Sequence, residues 1–256
     1  MRYCSGFGGG LEPMGGLESL SWAKLTRAEV KDLAPLAGLK YLSQLNLESC
    51  SFYGNMNRSV SGFKNLKNVS VKDSYITSID WLKDAEKLEK ADISTAVIDD
   101  LSALSRAKNL RVLIAEDVSG LKNISALRNT RNIRQFVLSG AGTILPVSDL
   151  HVLQNNVNMK KLEIKRTEIS DLRPIAGWKK LRSLILDENP QLTSADGIGG
   201  IKNLRVLSLN DCKNLRDINE IEKLKKLKIL NLNHCTALKE SELQALAPLI
   251  QMKELA

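Results

Sequence analysis

Residues 204–215 read LRVLSLNDCKNL, and residues 227–238, 23 positions on, read LKILNLNHCTAL. Leucine stands at steps 0, 3, 5 and 11 of both and cysteine at step 8, while the residues between them change. Extended upstream by three residues, the motif recurs in ten copies beginning at 17, 39, 63, 85, 107, 130, 156, 178, 201 and 224, as in LKYLSQLNLESC (39–50) and WKKLRSLILDEN (178–189). The spacing runs from 22 to 26 residues. Such a period constrains the chain more than its composition does, because each unit is too small to bury its own apolar side and must stack on its neighbours.

The chemistry inside one unit follows from the spacing. In the L-x-L core alternate side chains leave a strand on opposite faces, so the leucines share the inner face. The rest of the unit must return the chain ~4.8 Å away, beside the previous strand. Leu33 and Leu36, and Leu172 and Ile175, lie three apart and form one apolar edge of a helical turn. Asp32 and Asp171 stand where a carboxylate caps the free amides of that turn, and Pro35 and Pro174 fall in its first residues, where no donor is missed. A 22–23-residue unit leaves room for one turn only, which predicts 3-10 or irregular segments rather than full helices.

The pattern L-x-x-L-x-x-L-x-L-x-x-N/C resembles the leucine-rich repeat family. Tails such as VKDLAPLAGL (30–39) and ISDLRPIAGW (169–178) resemble the short-repeat subclass of bacterial internalins and nuclear phosphatase regulators, and CKNLRDI (212–218) resembles trypanosome leucine-rich repeat proteins. The resemblance implies an α/β solenoid: a curved, right-handed horseshoe with a parallel concave β-sheet and convex 3-10 or irregular segments. It also implies a ladder at the last motif position, where Asn or Cys bonds to backbone groups of the turn. Cys4, Cys50, Asn189, Cys212 and Cys235 hold that position, which accounts for all four cysteines as small buried donors. No C-x-x-C exists, so neither a metal nor a cofactor is expected.

Residues 17–248 make up the ten repeats. Residues 1–16 are a partial repeat or an irregular cap, and 249–256 start a further repeat, which suggests a piece of a longer protein. Residues 51–62 and 142–155 lengthen two units, and insertions of this kind often carry binding. Phe52 and Tyr53, aromatics in the first insertion, are candidates for partner contact, with local cover of the core edge as the alternative.

In this family the concave sheet binds partners, usually proteins. Its outward positions are Arg111 and Ile114 in the fifth unit, Arg134 and Val137 in the sixth, and Lys160, Lys161, Glu163, Lys165 and Arg166 in the seventh. Arg182, Ile185 and Asp187 follow in the eighth, Ser208 and Asn210 in the ninth, and Asn231 and Asn233 in the tenth. A basic centre bordered by small apolar residues suits a protein interface, and the net charge of +8 suits a partner with an acidic patch. A second reading is nucleic acid, RNA above all, along a basic rail of Lys40, Lys64, Lys108, Arg131, Lys179, Lys202 and Lys225. Against it, aromatics make up 4% of the chain and form no stacking platform. End-to-end self-association is a further expectation, because a stack exposes an apolar cross-section at each end. No phosphate loop, metal cluster or nucleophile elbow points to catalysis, unless a catalytic domain lies outside this sequence. No apolar run reaches the ~18 residues of a membrane span, and unpaired thiols favour the cytoplasm or nucleus.

Overall fold

The structure, a computed structural model, describes residues 10–53 and 62–256. Cys4 and most of the 51–62 insertion lie outside the described residues. The strands are β1 (Trp22–Lys24), β2 (Glu29–Val30), β3 (Gln44–Asn46), β4 (Ser51–Phe52), β5 (Asn68–Ser70), β6 (Lys90–Asp92) and β7 (Val112–Val118). They continue with β8 (Gln135–Gly140), β9 (Lys161–Lys165), β10 (Ser183–Ile185), β11 (Val206–Ser208), β12 (Ile229–Asn231) and β13 (Glu254–Leu255). Among the described residues, eleven of them form one parallel sheet in chain order, and β2 and β4 pair separately beside it.

The leucine spacing explains the register. The first apolar residue of each L-x-L unit pairs with its counterpart one repeat on: Ala23 with Leu45, Leu45 with Val69, Leu184 with Leu207 and Leu207 with Leu230. These side chains, and those two residues later such as Leu47, Ile164 and Leu209, are buried in a single core that runs the length of the stack. The convex side returns the chain through one α-turn, Ala34–Ala37, and short 3-10 turns such as Asp80–Leu82, Arg173–Ile175 and Asn219–Lys223. Asp32 accepts the Ala34 amide at 2.8 Å and Asp171 the Arg173 amide at 2.9 Å, so the expected carboxylates do cap the turns. The same device recurs at Asp100, Asn123, Asp149 and Asp217.

Two regions depart from the regular unit. Phe52 pairs through β4 with Val30 and, half-buried, packs against the core edge. Tyr53, the next residue, is 52% exposed. In the middle of the stack β7, β8 and β9 run for 7, 6 and 5 residues, against 3 in most other strands of the main sheet.

Candidate interaction surface

Every strand of the main sheet except β8 and β13 leaves it through the same backbone conformation. Arg27, Ser49, Asp73, Thr95, Asp117, Arg166, Glu188, Asp211 and His234 all have φ between 51° and 66°, the left-handed region. That turn points the amide at the following repeat: Ser49 N donates to the Lys72 carbonyl at 2.9 Å, and Asp211 N to the Asn233 carbonyl at 2.8 Å. It also drives the next side chain inward. Cys212 Sγ donates to the Leu186 carbonyl and Cys235 Sγ to the Leu209 carbonyl, both at 3.1 Å, and Cys50 Sγ reaches the Leu25 carbonyl at 3.4 Å. Asn189, fully buried, donates to the Ile164 and Leu186 carbonyls at 2.9 and 2.8 Å and accepts the amide and hydroxyl of Thr167 at 2.9 and 2.6 Å. Ser74 does the same work with its hydroxyl, donating to the Leu47 carbonyl at 2.6 Å.

These thiols are not reagents. Burial pushes the Cys212 thiol up to about 12 and the Cys235 thiol up to about 11, so both stay protonated, and a protonated thiol is a poor nucleophile. Cys50, Cys212 and Cys235 are free. Among the described residues no group of three or more His, Cys, Asp and Glu is placed to hold a metal ion.

The outward rows of the sheet form the candidate surface. One row runs Ile114, Val137, Glu163, Ile185, Ser208 and Asn231 in register. Two members differ from expectation. Val137 is 2% exposed and Glu163 8% exposed, so neither is open to a partner. The register seats Val137 between Ile114 and Glu163. Lys161 and Lys165 close over the Glu163 carboxylate at 2.9 and 2.5 Å. Burial alone raises the pKa of Glu163, but the bonds from Lys165 and Lys161 outweigh it and hold the carboxyl below its ordinary range. Arg166 is likewise committed, to Glu188 at 2.8 Å and Asp117 at 3.7 Å. The basic centre expected around Lys161, Lys165 and Arg166 is therefore largely neutralised from within, and Lys160 alone of that group is exposed with no ion pair among the described residues. Ile114, Ile185, Ser208, Asn210 and Asn231 are half-buried on the face, Asp187 lies beneath Ser208, and Asn233 is exposed.

The rail of Lys40, Lys64, Lys108, Arg131, Lys179, Lys202 and Lys225 is exposed throughout, but Glu86 and Val157 occupy its places in the fourth and seventh repeats. Beside it Glu86, Lys87, Arg106, Lys108 and Arg131 line an open hollow of about 890 Å³.

The family model for leucine-rich repeats (two copies) matches residues 202–248, the stretch holding Cys212 and Cys235. The fold around it continues the same unit over the whole described chain. This chain has the leucine-rich repeat fold. No curated protein sequence matches it. An internalin of Listeria monocytogenes (inlF) superposes with a TM-score of 0.73 at 20% identity, over 96% of this chain and 76% of that one. The functional domain of InlJ from the same organism, described as including a cysteine ladder, gives 0.67 at 15% identity, over 94% of this chain and 54% of that one. The leucine-rich repeat ectodomain of the Arabidopsis thaliana receptor kinase GASSHO1/SCHENGEN3, solved in complex with CASPARIAN STRIP INTEGRITY FACTOR 2, gives 0.64 at 14% identity, over 94% of this chain and 33% of that one. At these identities the likeness is one of fold.

Sequence reasoning missed two features of this leucine-rich repeat stack. Asn156, fully buried, accepts the Ile133 amide at 2.9 Å and donates to Thr130 and the Leu153 carbonyl, pinning the lengthened sixth unit from its convex side. A polar residue at a position otherwise held mostly by Leu, Ile or Ala was the signal. The second is a continuous column of cations along the edge where chains enter the sheet. It is visible when the residue four steps after each unit's start is read down the copies.

Proposed function

We propose that this chain is a non-catalytic recognition scaffold that holds a protein partner on its concave sheet. The observation that carries this reading is the face itself: half-buried aliphatic side chains at Ile114, Ile185, Val206 and Ile229 set among charged groups on one rigid parallel sheet. Partly exposed apolar side chains inside a polar surround are the usual make-up of a protein interface. Ten strand spacings of ~4.8 Å span roughly 45–50 Å, enough for an interface of ~800 Å² per partner. That the structurally similar receptor ectodomain was solved in complex with CASPARIAN STRIP INTEGRITY FACTOR 2 supports the reading. An acidic patch on the partner agrees with the surplus of cations.

The test is affinity capture from native extract with the wild type and Ile114→Arg/Ile185→Arg, whose new charges project from the concave face without entering the core. The partner should be lost with the variant. Equal capture would remove the concave face from the reading. The exposed rail keeps a nucleic-acid reading in view; binding of RNA that falls steeply with salt would favour it.

A further inference from the structure

The cations on the leading edge, where each strand begins, are aligned by the backbone. Arg134 N donates to the Arg111 carbonyl at 2.8 Å, Lys160 N to Arg134 at 2.7 Å and Arg182 N to Lys160 at 3.0 Å. The chain continues with Arg205 N to Arg182 at 2.9 Å, Lys228 N to Arg205 at 2.9 Å and Lys253 N to Lys228 at 2.7 Å. Seven consecutive repeats thus place a cation at one register position, ~4.8 Å apart over ~29 Å. Arg111 is paired at the head of the column by Glu89, 3.2 Å away. The other six have no ion pair among the described residues, and all of these but the half-buried Lys228 are exposed. Uncompensated like charges held at fixed spacing repel one another, and an anionic ligand relieves that repulsion.

The opposite, trailing edge of the same repeats has the other sign. Glu116, Asp117, Asp187, Glu188 and Asp211 lie there, while its cations Lys165 and Arg166 are taken up by Glu163 and Glu188. Six residues of strand separate the two edges, ~20 Å. A nucleic acid presents phosphate to both sides, so a duplex resting on the sheet would meet the carboxylates of the trailing edge. Exposed aromatics for base stacking are also misplaced: Trp22, Tyr41, Tyr53 and Tyr75 all precede the column. Immediately inside the column stand Val112, Val206 and Ile229, half-buried aliphatics that suit the apolar side chains of a polypeptide.

We propose that the leading edge from Arg111 to Lys253 binds an extended acidic polypeptide segment running across the strands, its carboxylates on the cation column and its apolar side chains on the aliphatic row. This rests on the concave-face reading and adds the chemistry and orientation of the partner. At ~3.4 Å per extended residue the column matches about nine residues, and its arginines offer carboxylates paired donors.

The probes are labelled dodecaglutamate and an oligouridylate of the same length, followed by fluorescence anisotropy at about 150 mM salt, where weak surface attraction is screened. The proteins are the wild type, Arg182→Glu/Arg205→Glu, and a control with the same net charge, Lys31→Glu/Lys83→Glu, on the convex side. Wild type and control should bind dodecaglutamate, the leading-edge variant should lose at least tenfold in affinity, and oligouridylate should bind more weakly. Equal loss in the convex control, tighter binding of oligouridylate, or no binding of dodecaglutamate would each overturn the proposal. If the leading-edge variant still binds dodecaglutamate while Ile114→Arg/Ile185→Arg loses the captured partner, this inference fails and the concave-face reading stands.

Discussion

The trailing turns of the eighth to tenth repeats and those of the fifth and sixth solve one problem in two ways. Every strand must end, and the backbone groups it leaves behind are buried. In the later repeats Asn189, Cys212 and Cys235 satisfy the Ile164, Leu186 and Leu209 carbonyls of the previous turn with side-chain donors, and the strands stop after 3 residues. In the fifth repeat the same place holds Val118, which has no donor. There β7 continues to Val118, which pairs with Gly140 across a register shift, and Ala141 N donates to the Val118 carbonyl at 2.9 Å. Ser139, buried, accepts the Asp117 amide at 2.8 Å. The extra residues of the sixth unit carry Ala141 out to solvent, so the position the motif assigns to the ladder is not inward there. In the fifth repeat a longer strand stands in for the missing side-chain donor, whereas Ala96 in the fourth also lacks a donor and β6 keeps 3 residues; the longer strands are the ones that carry the buried Val137 and Glu163.

If that comparison is sound, Asn189→Ala has the largest effect, because it strands the Thr167 amide and two carbonyls inside the stack. A loss of about 3 kcal/mol is expected from urea unfolding, and a loss under about 1 kcal/mol would mean that the ladder is incidental. Ser139→Ala comes next, at about 1 kcal/mol, since the neighbouring strand bonds remain; a loss equal to that of Asn189→Ala would erase the distinction between the two regions. Cys212→Ser keeps a donor toward the Leu186 carbonyl and should cost less than about 1 kcal/mol. Native Cys212 and Cys235 should be modified by a thiol reagent at pH 8 only as fast as the chain opens, whereas rapid modification would show them outside the turns.

The smallest effect concerns the acids beneath the face. Burial raises the Asp187 pKa against the lowering bonds from Ser208 and Asn210. A raised folded pKa contributes stability that is present below the unfolded value and lost as pH rises through the folded one. Asp187→Asn should therefore gain slightly in stability at pH 7, with the gain vanishing toward pH ~4. Glu163, whose folded pKa is lowered, has the opposite sign: its contribution disappears as pH falls through that lowered value. Thermal melts of Asp187→Asn and Glu163→Gln from about pH 7 down to about pH 3 check the pair.

Much of this was legible in the sequence. The L-x-L spacing locates the strands of the main sheet and the inner face, because period-2 alternation and a fixed repeat leave one arrangement that buries Leu184, Leu207 and Leu230 together. The cap at Asp171 and the single convex turn follow from local chemistry alone. The covered Val137 and Glu163 do not, since their burial depends on which side chains stand beside them in the next repeats. Nor does the displacement of Ala141, which depends on the path of an insertion. The cation column is written in the sequence, but only as a vertical reading across seven units, and the neutralisation of Lys161, Lys165 and Arg166 needed side-chain geometry.

Binding of the partner on the concave sheet, at its leading edge above all, is tested most directly by lysine labelling of the free and partner-bound chain, read residue by residue by mass spectrometry. Lys160, Lys228 and Lys253 should lose reactivity in the complex while Lys31 and Lys83 keep theirs. Protection of Lys31 and Lys83 with the leading edge still fully reactive would contradict it.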